Sequence, residues 1–502
     1  MRVNASNDAT GPGRLVIRAD DPNLTPYAGL AIVGQLVRRT RLVELVDGEL
    51  AQVRTARPIK RRRRGLTPGA LVLSLAECQV AGADCFDDIE DVRADRAGAP
   101  LRAVAQVPSA PTARQLARLF RRGHIRAIER AHARVANAVD VELGREPGED
   151  VCFDLDATDS EVYGRCKQGA GRSHTGGLGY CSYVVTWAQR GRALTSELLG
   201  ANRARITAKE SAAMIKRAVK LLPEGHGQVT MRVDSGFYSA ELMGALRKQQ
   251  VRFSMSAPRT STIWRALQEI PEQAWADAVE MRGAQVAELS YTPAGWEHEP
   301  LRLIVRRVPV SASELHAGNP KARRRTTIPP DQLQMVLDGR LASTYAYSFI
   351  VTDIPTDEKT TTEVEHFHRR RAQIEERFKD AKLGQPLRHL PTGNLDANRL
   401  WLACCLLALN ITAIVCDLSP AAAAGITPAA HADPASSGPD NPDPDSKLPL
   451  RRHAKALRRI LFCVPARITH SARQTILHLA RDFPHIELFT KTYDAAYALR
   501  GP

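Results

Sequence analysis

The chain has 502 residues, of which 43% are hydrophobic and 25% are charged, a composition typical of a globular protein with two or three domains. Its 70 lysine and arginine residues outnumber 55 acidic residues, and the net charge of +15 favours a nucleic acid partner over a membrane surface. No apolar run reaches the roughly twenty residues of a membrane-spanning helix, no apolar signal segment is present, and nine cysteines lack Cys-x-x-Cys spacing. The sequence therefore predicts a cytoplasmic protein with no membrane association and no zinc site.

The first region, residues 1–145, is predicted to be α-helical and to bind DNA through its arginines. Helical patterns extend from Leu30 to Leu50 and from Thr67 to Ala94, and a third pattern from Ala113 to Glu142 carries seven arginines. A basic run between the first two patterns contains Arg61, Arg62, Arg63 and Arg64. Such a run suits contacts with DNA phosphates, although basic runs are often only solvated linkers.

Residues 150–258 show the alternation of strands and helices that is typical of an α/β domain. Val151 to Thr158 alternates as a strand that places Asp154 and Asp156 on the same face. A hairpin is predicted over 180–199, a capped helix from Thr207, a strand over 228–233 that ends at Asp234, a helix over 239–250 and a strand over 251–256. The order β-β-β-α-β-α-β is that of an RNase H-like fold before its last helix.

The last helix of that fold is delayed by residues 259–345, which we predict to be a β-rich insertion. The remainder of the core is predicted over 346–418. Residues 419–447 are rich in Ala, Pro, Asp and Ser and are predicted to be a flexible linker. The final region, 448–502, is basic and predicted to be helical. The predicted fold class is therefore α/β, an interrupted RNase H-like core flanked by α-helical basic N- and C-terminal regions.

A basic helix is predicted to begin at Thr360, because Thr360 and Glu363 have the spacing of a capping box. Its apolar residues form one stripe at helical spacing, namely Val364, Phe367, Ile374, Phe378 and Ala381. Its chargeable residues follow the edge of that stripe, namely His368, Arg371, Glu375 and Lys382. Considered alone, such a pattern is more often a solvated helix face.

Three carboxylates fall on elements that an RNase H-like fold brings together. Asp156 and Asp234 lie at or near strand ends, and Glu375 faces them from the basic helix. An Asp at a strand end is more often a turn or cap residue, so the argument depends on all three acids arriving in the right order. Converging carboxylates suit Mg²⁺ or Mn²⁺, and two such ions can assist in-line attack on a phosphodiester. Arg371 and Lys382 would then hold phosphates of the DNA strand.

These motifs resemble those of DDE transposases of bacterial insertion sequences, in the branch with a β-rich insertion and a helix signature Y-x2-R-x3-E-x6-K. The signature begins here with His368, which replaces the tyrosine, and continues with Arg371, Glu375 and Lys382. The phrases Asp154-Leu-Asp-Ala-Thr158 and Pro465-Ala-Arg467 are similar to motifs of insertion-sequence family 1380 within that branch. The resemblance is clearest over residues 150–410.

The resemblance implies metal-dependent cleavage of DNA at transposon ends and transfer of the freed 3′-OH into target DNA. It implies that Asp156, Asp234 and Glu375 are the catalytic, metal-binding triad and that they hold two Mg²⁺ or Mn²⁺ ions. It also implies DNA contacts by His368, Arg371 and Lys382, where His368 can keep a stacking or hydrogen-bonding role but not one specific to a phenol.

Each of two triad positions has a neighbouring alternative. Asp156 is preferred to Asp154 because the family pattern places its Asp two residues before a Thr, here Thr158. Glu376 is a weaker alternative to Glu375, because consecutive residues point about 100° apart on a helix.

The implied partners are double-stranded DNA, both as inverted-repeat ends and as target, and further copies of the chain in a homodimer or larger synaptic complex. The implied location is the cytoplasm of a bacterium, at the nucleoid. Two other functions remain open from the sequence, namely another RNase H-like DNA endonuclease and a catalytically inactive DNA-binding derivative.

Overall fold

A computed structural model describes residues 17–55, 58–59, 65–164, 166–173, 176–202, 206–316, 319–419 and 453–502. The predicted phosphate contacts Arg61, Arg62, Arg63 and Arg64 lie outside the described residues, as does nearly all of the predicted linker 419–447.

The N-terminal region is helical as predicted, but each long predicted helix is broken. After the short strand β1 (Leu24–Thr25), the helices are α1 (Leu30–Arg39), α2 (Leu42–Ala51), α3 (Pro68–Ala81), α4 (Ile89–Ala94), α5 (Ala110–Ala117) and α6 (Arg122–Glu142). The break between α1 and α2 occurs at Arg41, whose φ of 52° is left-handed. The break after α3 occurs at Gly82, whose φ of 116° ends a helix at little steric cost.

The central α/β region follows the predicted order closely. Its elements are β2 (Val151–Glu161), β3 (Gly171–Arg172), β4 (Leu178–Trp187), β5 (Arg192–Gly200), α7 (Ala208–Val219), β6 (Val229–Val233), α8 (Ala240–Lys248) and β7 (Arg252–Ser256). The strands lie in the order β5-β4-β2-β6-β7, with β2, β6 and β7 parallel and β4 antiparallel to its neighbours. Thr207 and Glu210 form the predicted capping box of α7. The RNase H-like core predicted from the sequence is confirmed.

The segment predicted as a β-rich insertion adds strands to the same sheet. Its elements are α9 (Ser261–Leu267), β8 (Ala276–Asp277), β9 (Gln285–Tyr291), β10 (Leu301–Ser311) and α10 (Pro330–Leu337). The next strand, β11 (Ser343–Thr352), lies mostly in the predicted remainder of the core. β11 pairs antiparallel with β7, and β10, β9 and β8 follow outwards, so the described sheet has ten strands. Whether residues 259–345 form a unit of their own stays a prediction.

The predicted basic helix forms, but it is two helices rather than one. Thr360 and Glu363 form the expected capping box of α11 (Thr361–Arg369), and α12 (Gln373–Leu383) follows. Between them a tighter 3₁₀ turn covers Arg370–Ala372. A stretch of 3₁₀ helix inside an α-helical run often marks a functional position, and here it contains Arg371.

The long apolar helix α13 (Leu395–Leu418) lies at the centre of the molecule. Of the described helices, it alone has the length and apolarity of a membrane-spanning segment, with a mean hydropathy of 2.0, and 89% of that stretch is buried inside the protein. Its core also includes residues from the N-terminal helices and from the C-terminal region, such as Leu71, Val135, Leu461 and Phe489. The predicted domain boundaries remain predictions, and this core joins residues from several of the predicted regions.

The C-terminal region is not uniformly helical, so that prediction was wrong. After α14 (Ala454–Leu457) and a π-helical turn, Arg458–Phe462, the chain forms strands β12 (Ala466–Ser471) and β13 (Gln474–His478) and then α15 (Ile486–Ala498). β12 pairs with β1, which lies more than 400 residues earlier, to build a three-stranded sheet in the order β1-β12-β13. Pro465 cannot continue a helix, and the distant strand β1 supplies the partner that the basic composition could not indicate.

Candidate active site

The register of two parallel strands places Asp156 beside Asp234. Leu155 of β2 is the partner of Val233 of β6, and each is followed by an aspartate, Asp156 in one case and Asp234 in the other. Adjacent strands lie about 4.8 Å apart, which brings the two carboxylates side by side where the pairing of β2 with β6 ends, while β2 itself continues to Glu161. Asp234 also caps the turn that follows it, since its Oδ1 accepts a hydrogen bond from Gly236 N at 2.8 Å.

A guanidinium group joins the two carboxylates. Arg371 Nη2 lies 3.3 Å from Asp156 Oδ2 and 3.8 Å from Asp234 Oδ2. The side chains of Arg371 and Asp156 are 13% and 14% exposed, whereas Asp234 is 42% exposed. The Asp156 carboxylate is therefore largely shielded from solvent, whereas that of Asp234 is accessible to it.

The neighbouring aspartate, Asp154, is bound in a different way. Arg232 donates from Nε to Asp154 Oδ1 at 2.7 Å and from Nη2 to Oδ2 at 2.8 Å, and both side chains are buried. Arg232 also donates to the carbonyl oxygen of Phe367 on α11, at 2.6 Å. A carboxylate held by both oxygens in a buried pair is a structural group, so the geometry favours Asp156 over Asp154 as the candidate ligand.

Glu375 lies in the first turn of α12, a helix that contacts β2, and its side chain is not among those described. Among the described side chains, no group of three His, Cys, Asp or Glu is close enough to hold a metal ion. The structure therefore brings together Asp156, Asp234 and Arg371 from the predicted set.

The two aspartates nevertheless have the chemistry of a site for a divalent cation. Both carboxylates approach one cationic nitrogen, that of Arg371, and only oxygen ligands contribute. Arg371 Nε is buried without a hydrogen-bond partner among the described residues. A hard cation beside Asp156 and Asp234 fits these residues, and it would compete with the guanidinium for the same oxygens.

His368 is buried between two serines of β7. Its Nδ1 lies 2.8 Å from Ser254 Oγ, and its Nε2 lies 2.9 Å from Ser256 Oγ. A neutral imidazole has one donor and one acceptor nitrogen, and a hydroxyl can complement either. Burial, with the guanidinium of Arg371 nearby, lowers the pKa of His368 to about 3. The predicted DNA contact would require His368 to leave both serines, and it stays a prediction.

We expect His368 to make the protein less stable in mild acid. Its folded-state pKa lies below the ordinary value of 6.5, so the unfolded chain takes up the proton first as the pH falls. Between about pH 7 and about pH 5 the loss should be about 2 kcal/mol. In His368→Gln, which cannot titrate, the melting temperature should fall less over the same range. Equal pH dependence in both proteins would contradict a neutral, buried His368.

A basic groove leads away from Asp156 between β2 and α12. It is lined by Asp156, Ala157, Thr158, Phe378, Lys379, Lys382, Leu383 and Arg388. Lys382 is half-buried, and loss of hydration lowers its pKa while the Asp159 carboxylate opposes that effect. Lys382 therefore lies in a groove beside Asp156 together with Lys379 and Arg388, and its phosphate contact stays a prediction.

The comparisons with known proteins bear on this geometry. The model of the family described as Transposase DDE domain group 1 matches residues 10–318, about three fifths of the chain. The chain belongs to the DDE transposase family. The match includes Asp156 and Asp234 and ends before α11.

No curated protein matches the transposase. Among solved structures, it is similar to the piggyBac transposase synaptic complex with hairpin DNA, determined by cryo-electron microscopy. The sequence identity is 13% and the TM-score is 0.36, with 77% of this chain and 73% of that chain covered.

Strands β9 and β10 hold α11, the helix that leads into the 3₁₀ turn containing Arg371. Arg306 of β10 donates to Glu365 Oε1 at 2.6 Å, and Glu365, which is buried, also accepts from Arg369 at 3.2 Å. Closer to the start of α11, Glu288 of β9 accepts from Thr361 Oγ1 at 2.7 Å. The transposase thus positions Arg371 through strands that the sequence assigned only to an insertion.

The C-terminal end of α12 is held by the C-terminal region of the chain. Ala454 N donates to Asp380 of α12 at 2.9 Å, and Arg458 donates to the carbonyl oxygen of Gly384 at 2.6 Å. Arg458 also donates to the carbonyl oxygens of Val80 and Gln79 at the end of α3. The C-terminal end of α12 is therefore fixed by the C-terminal region, which Arg458 also joins to α3.

Sequence reasoning missed three side chains of this site. Lys379 lies one helical turn before Lys382 on α12, and that spacing could have indicated a shared face. Arg388 follows the helix and gave no local signal. Arg232 alternates within a strand, and only the register of β2 and β6 reveals it as the partner of Asp154.

Proposed function

We propose that this transposase cuts DNA at the ends of its own transposable element and joins the freed 3′-OH to target DNA. The observation that carries the proposal is the convergence of Asp156 and Asp234 on a single cationic nitrogen, that of Arg371, where two parallel strands of an RNase H-like sheet cease to pair. Two carboxylates that share one cation beside a basic groove suit a reaction on a phosphodiester.

Asp156 and Asp234, together with Glu375 from α12, would hold Mg²⁺ or Mn²⁺, and we propose two ions. When bound, such ions supply activation of the attacking oxygen and stabilisation of the leaving oxygen in an in-line displacement. This chemistry needs only oxygen ligands, which all three residues provide.

The remaining work falls to the basic side chains around the carboxylates. Lys382, Lys379 and Arg388 line the groove beside Asp156 and would hold phosphates of the strand to be cut. Arg371 contacts both carboxylates in this structure and, with those carboxylates holding the cation, would hold a phosphate of the DNA. A guanidinium suits that task because it can donate two parallel hydrogen bonds to a phosphate.

The proposed substrate is double-stranded DNA, with inverted-repeat ends on one side of the reaction and target DNA on the other. The net charge of +15 supports a polyanionic partner. We further propose a homodimer or larger synaptic complex that acts at the bacterial nucleoid, and a place in the branch that includes insertion-sequence family 1380. The helix signature from His368 to Lys382 and the phrase Asp154-Leu-Asp-Ala-Thr158 support that branch.

The experiment uses the full chain and duplexes that end at the boundaries of the element, located as inverted repeats in the DNA on either side of the gene. One duplex is intact and the other is pre-cut to leave a 3′-OH. With Mg²⁺ or Mn²⁺ we expect cleavage of the first and joining of the second to a plasmid, and neither reaction with EDTA.

The two duplexes separate the candidate functions. Cleavage without joining of the pre-cut end would identify another RNase H-like endonuclease, and binding without either reaction would identify an inactive derivative. A scrambled duplex of equal composition tests whether the reaction depends on the end sequence.

A further inference from the structure

The C-terminal ribbon, which we define as residues 466–478, extends beyond the core. At its base Ile468 is buried and its partner Leu477 is partly buried against the core. Towards its tip, His470, Ser471, Gln474 and Thr475 are exposed. Half of a two-stranded ribbon therefore extends into solvent on both faces.

The ribbon and its surroundings carry positive charge. Residues 465–481 contain no Asp or Glu, and they include Arg467, Arg473 and Arg481 as well as two histidines. Arg467 at the base pairs with Asp21 at 2.5 Å, whereas Arg473 lies exposed at the tip. A ribbon of this charge favours a polyanion over a neutral or basic partner.

The turn at the tip does not contain the residue types that its backbone geometry favours. Ser471 and Gln474 are partners, so Ala472 and Arg473 form a two-residue turn, and their φ values are 46° and 69°. Positive φ at both positions defines a type I′ turn, for which Asn and Gly are the preferred residues. The chain thus places an arginine where glycine would be the more stable choice.

The face away from the core is suited to hydrogen bonding. The partners that point outwards are Arg467 and His478, Thr469 and Ile476, and Ser471 and Gln474. Thr469 Oγ1 and His478 Nε2 lie 2.8 Å apart, which holds two of these side chains on that face. A two-stranded ribbon has the width of the DNA major groove, where such side chains can meet phosphates and base edges.

We propose that the ribbon enters a groove of duplex DNA, with Arg473 as its leading contact, at a place separate from the carboxylate site. This proposal rests on the proposed function, because it takes DNA to be the substrate. It adds the ribbon as an element that binds the duplex. A second copy of the chain is the other possible occupant, because β13 is an edge strand among the described residues. Pairing of β13 with the β13 strand of a second copy would bring the positive charges of two ribbons together, and their repulsion disfavours this arrangement.

The test replaces the turn by its preferred sequence, in the full-length double variant A472N/R473G. This change should raise the melting temperature, because Asn-Gly suits a type I′ turn, while it removes the leading charge. We expect affinity for DNA to fall roughly tenfold and the dependence of log K on log salt to lose about one unit of slope. Stability and affinity then move in opposite directions, which a folding defect cannot produce.

Binding is measured by fluorescence anisotropy without divalent metal, on short duplexes tiled across the DNA on either side of the gene and on a scrambled duplex. A472N alone, which keeps Arg473, should bind as the unmodified protein does, and Arg473→Lys should retain most of the affinity. Unchanged affinity and salt slope in A472N/R473G would overturn the proposal. So would a loss of self-association, seen by analytical ultracentrifugation, without a loss of DNA affinity.

The outcome is independent of the cleavage experiment. If the unmodified protein cuts DNA but the variant binds normally, only the role of the ribbon is overturned. If the variant binds less tightly but the unmodified protein never cuts or joins DNA, the ribbon proposal holds and the proposed reaction fails.

Discussion

Asp156→Asn, Asp234→Asn and Glu375→Gln are each expected to lower the rate of metal-dependent DNA cleavage by about a thousandfold or more. An amide keeps the size of the side chain but cannot supply the negative oxygen that a hard cation requires. DNA affinity measured without metal should change little or rise slightly, because each variant removes a negative charge near the groove. The rates are compared on the same pre-cut and intact duplexes.

A second measurement separates loss of metal from loss of fold. The unmodified protein should melt at a higher temperature when Mn²⁺ is added, since a ligand that binds only the folded state stabilises it. In the Asp156 and Asp234 variants that increase should be much smaller, whereas their melting temperatures without metal should be close to that of the unmodified protein.

Glu376→Gln is the matched control for Glu375→Gln. The two residues hold adjacent positions on α12, and adjacent helical positions are about 100° apart around the helix axis, so we expect only one of them to serve as a ligand. We expect Glu376→Gln to retain most of the cleavage activity. The reverse result would move the third ligand to Glu376 and leave the other two assignments in place.

Arg232→Met should produce one of the largest losses of stability, about 3–5 kcal/mol, because it leaves Asp154 charged and buried without its partner. The two hydrogen bonds from Arg232 to Asp154 and the one to the carbonyl oxygen of Phe367 are lost together. The measurement is the midpoint of unfolding in urea, compared under identical conditions.

Two controls test the reason for that loss. Arg252→Met breaks an ion pair with Glu358 whose side chains are 33% and 45% exposed, and it should cost less than about 1 kcal/mol. The double variant Asp154→Leu/Arg232→Met removes both charges and should recover much of the stability. A double variant no more stable than Arg232→Met would show that the buried charge is not the cause.

The local parts of this fold were predictable because their signals lie within a few residues. The capping boxes at Thr207 and Thr360 start helices where the sequence indicates, since each cap bonds a residue three positions on. The alternation in β2 and the turn after β6 likewise located Asp156 and Asp234. The C-terminal ribbon was missed because it forms only against β1, and its basic composition is equally compatible with a helix.

The sequence by itself determined the order of strands and helices in the central α/β region, the basic character of the chain and the positions of its candidate carboxylates. Only the tertiary structure decided which of two neighbouring aspartates is neutralised, because Arg232 lies 78 residues from Asp154. It also decided that His368 is enclosed by Ser254 and Ser256, and that Arg371 turns inwards at a 3₁₀ turn to meet Asp156 and Asp234. Hydrogen bonds and ion pairs depend on distances of a few ångströms, and those distances are set by strand register and by helix packing across the whole chain.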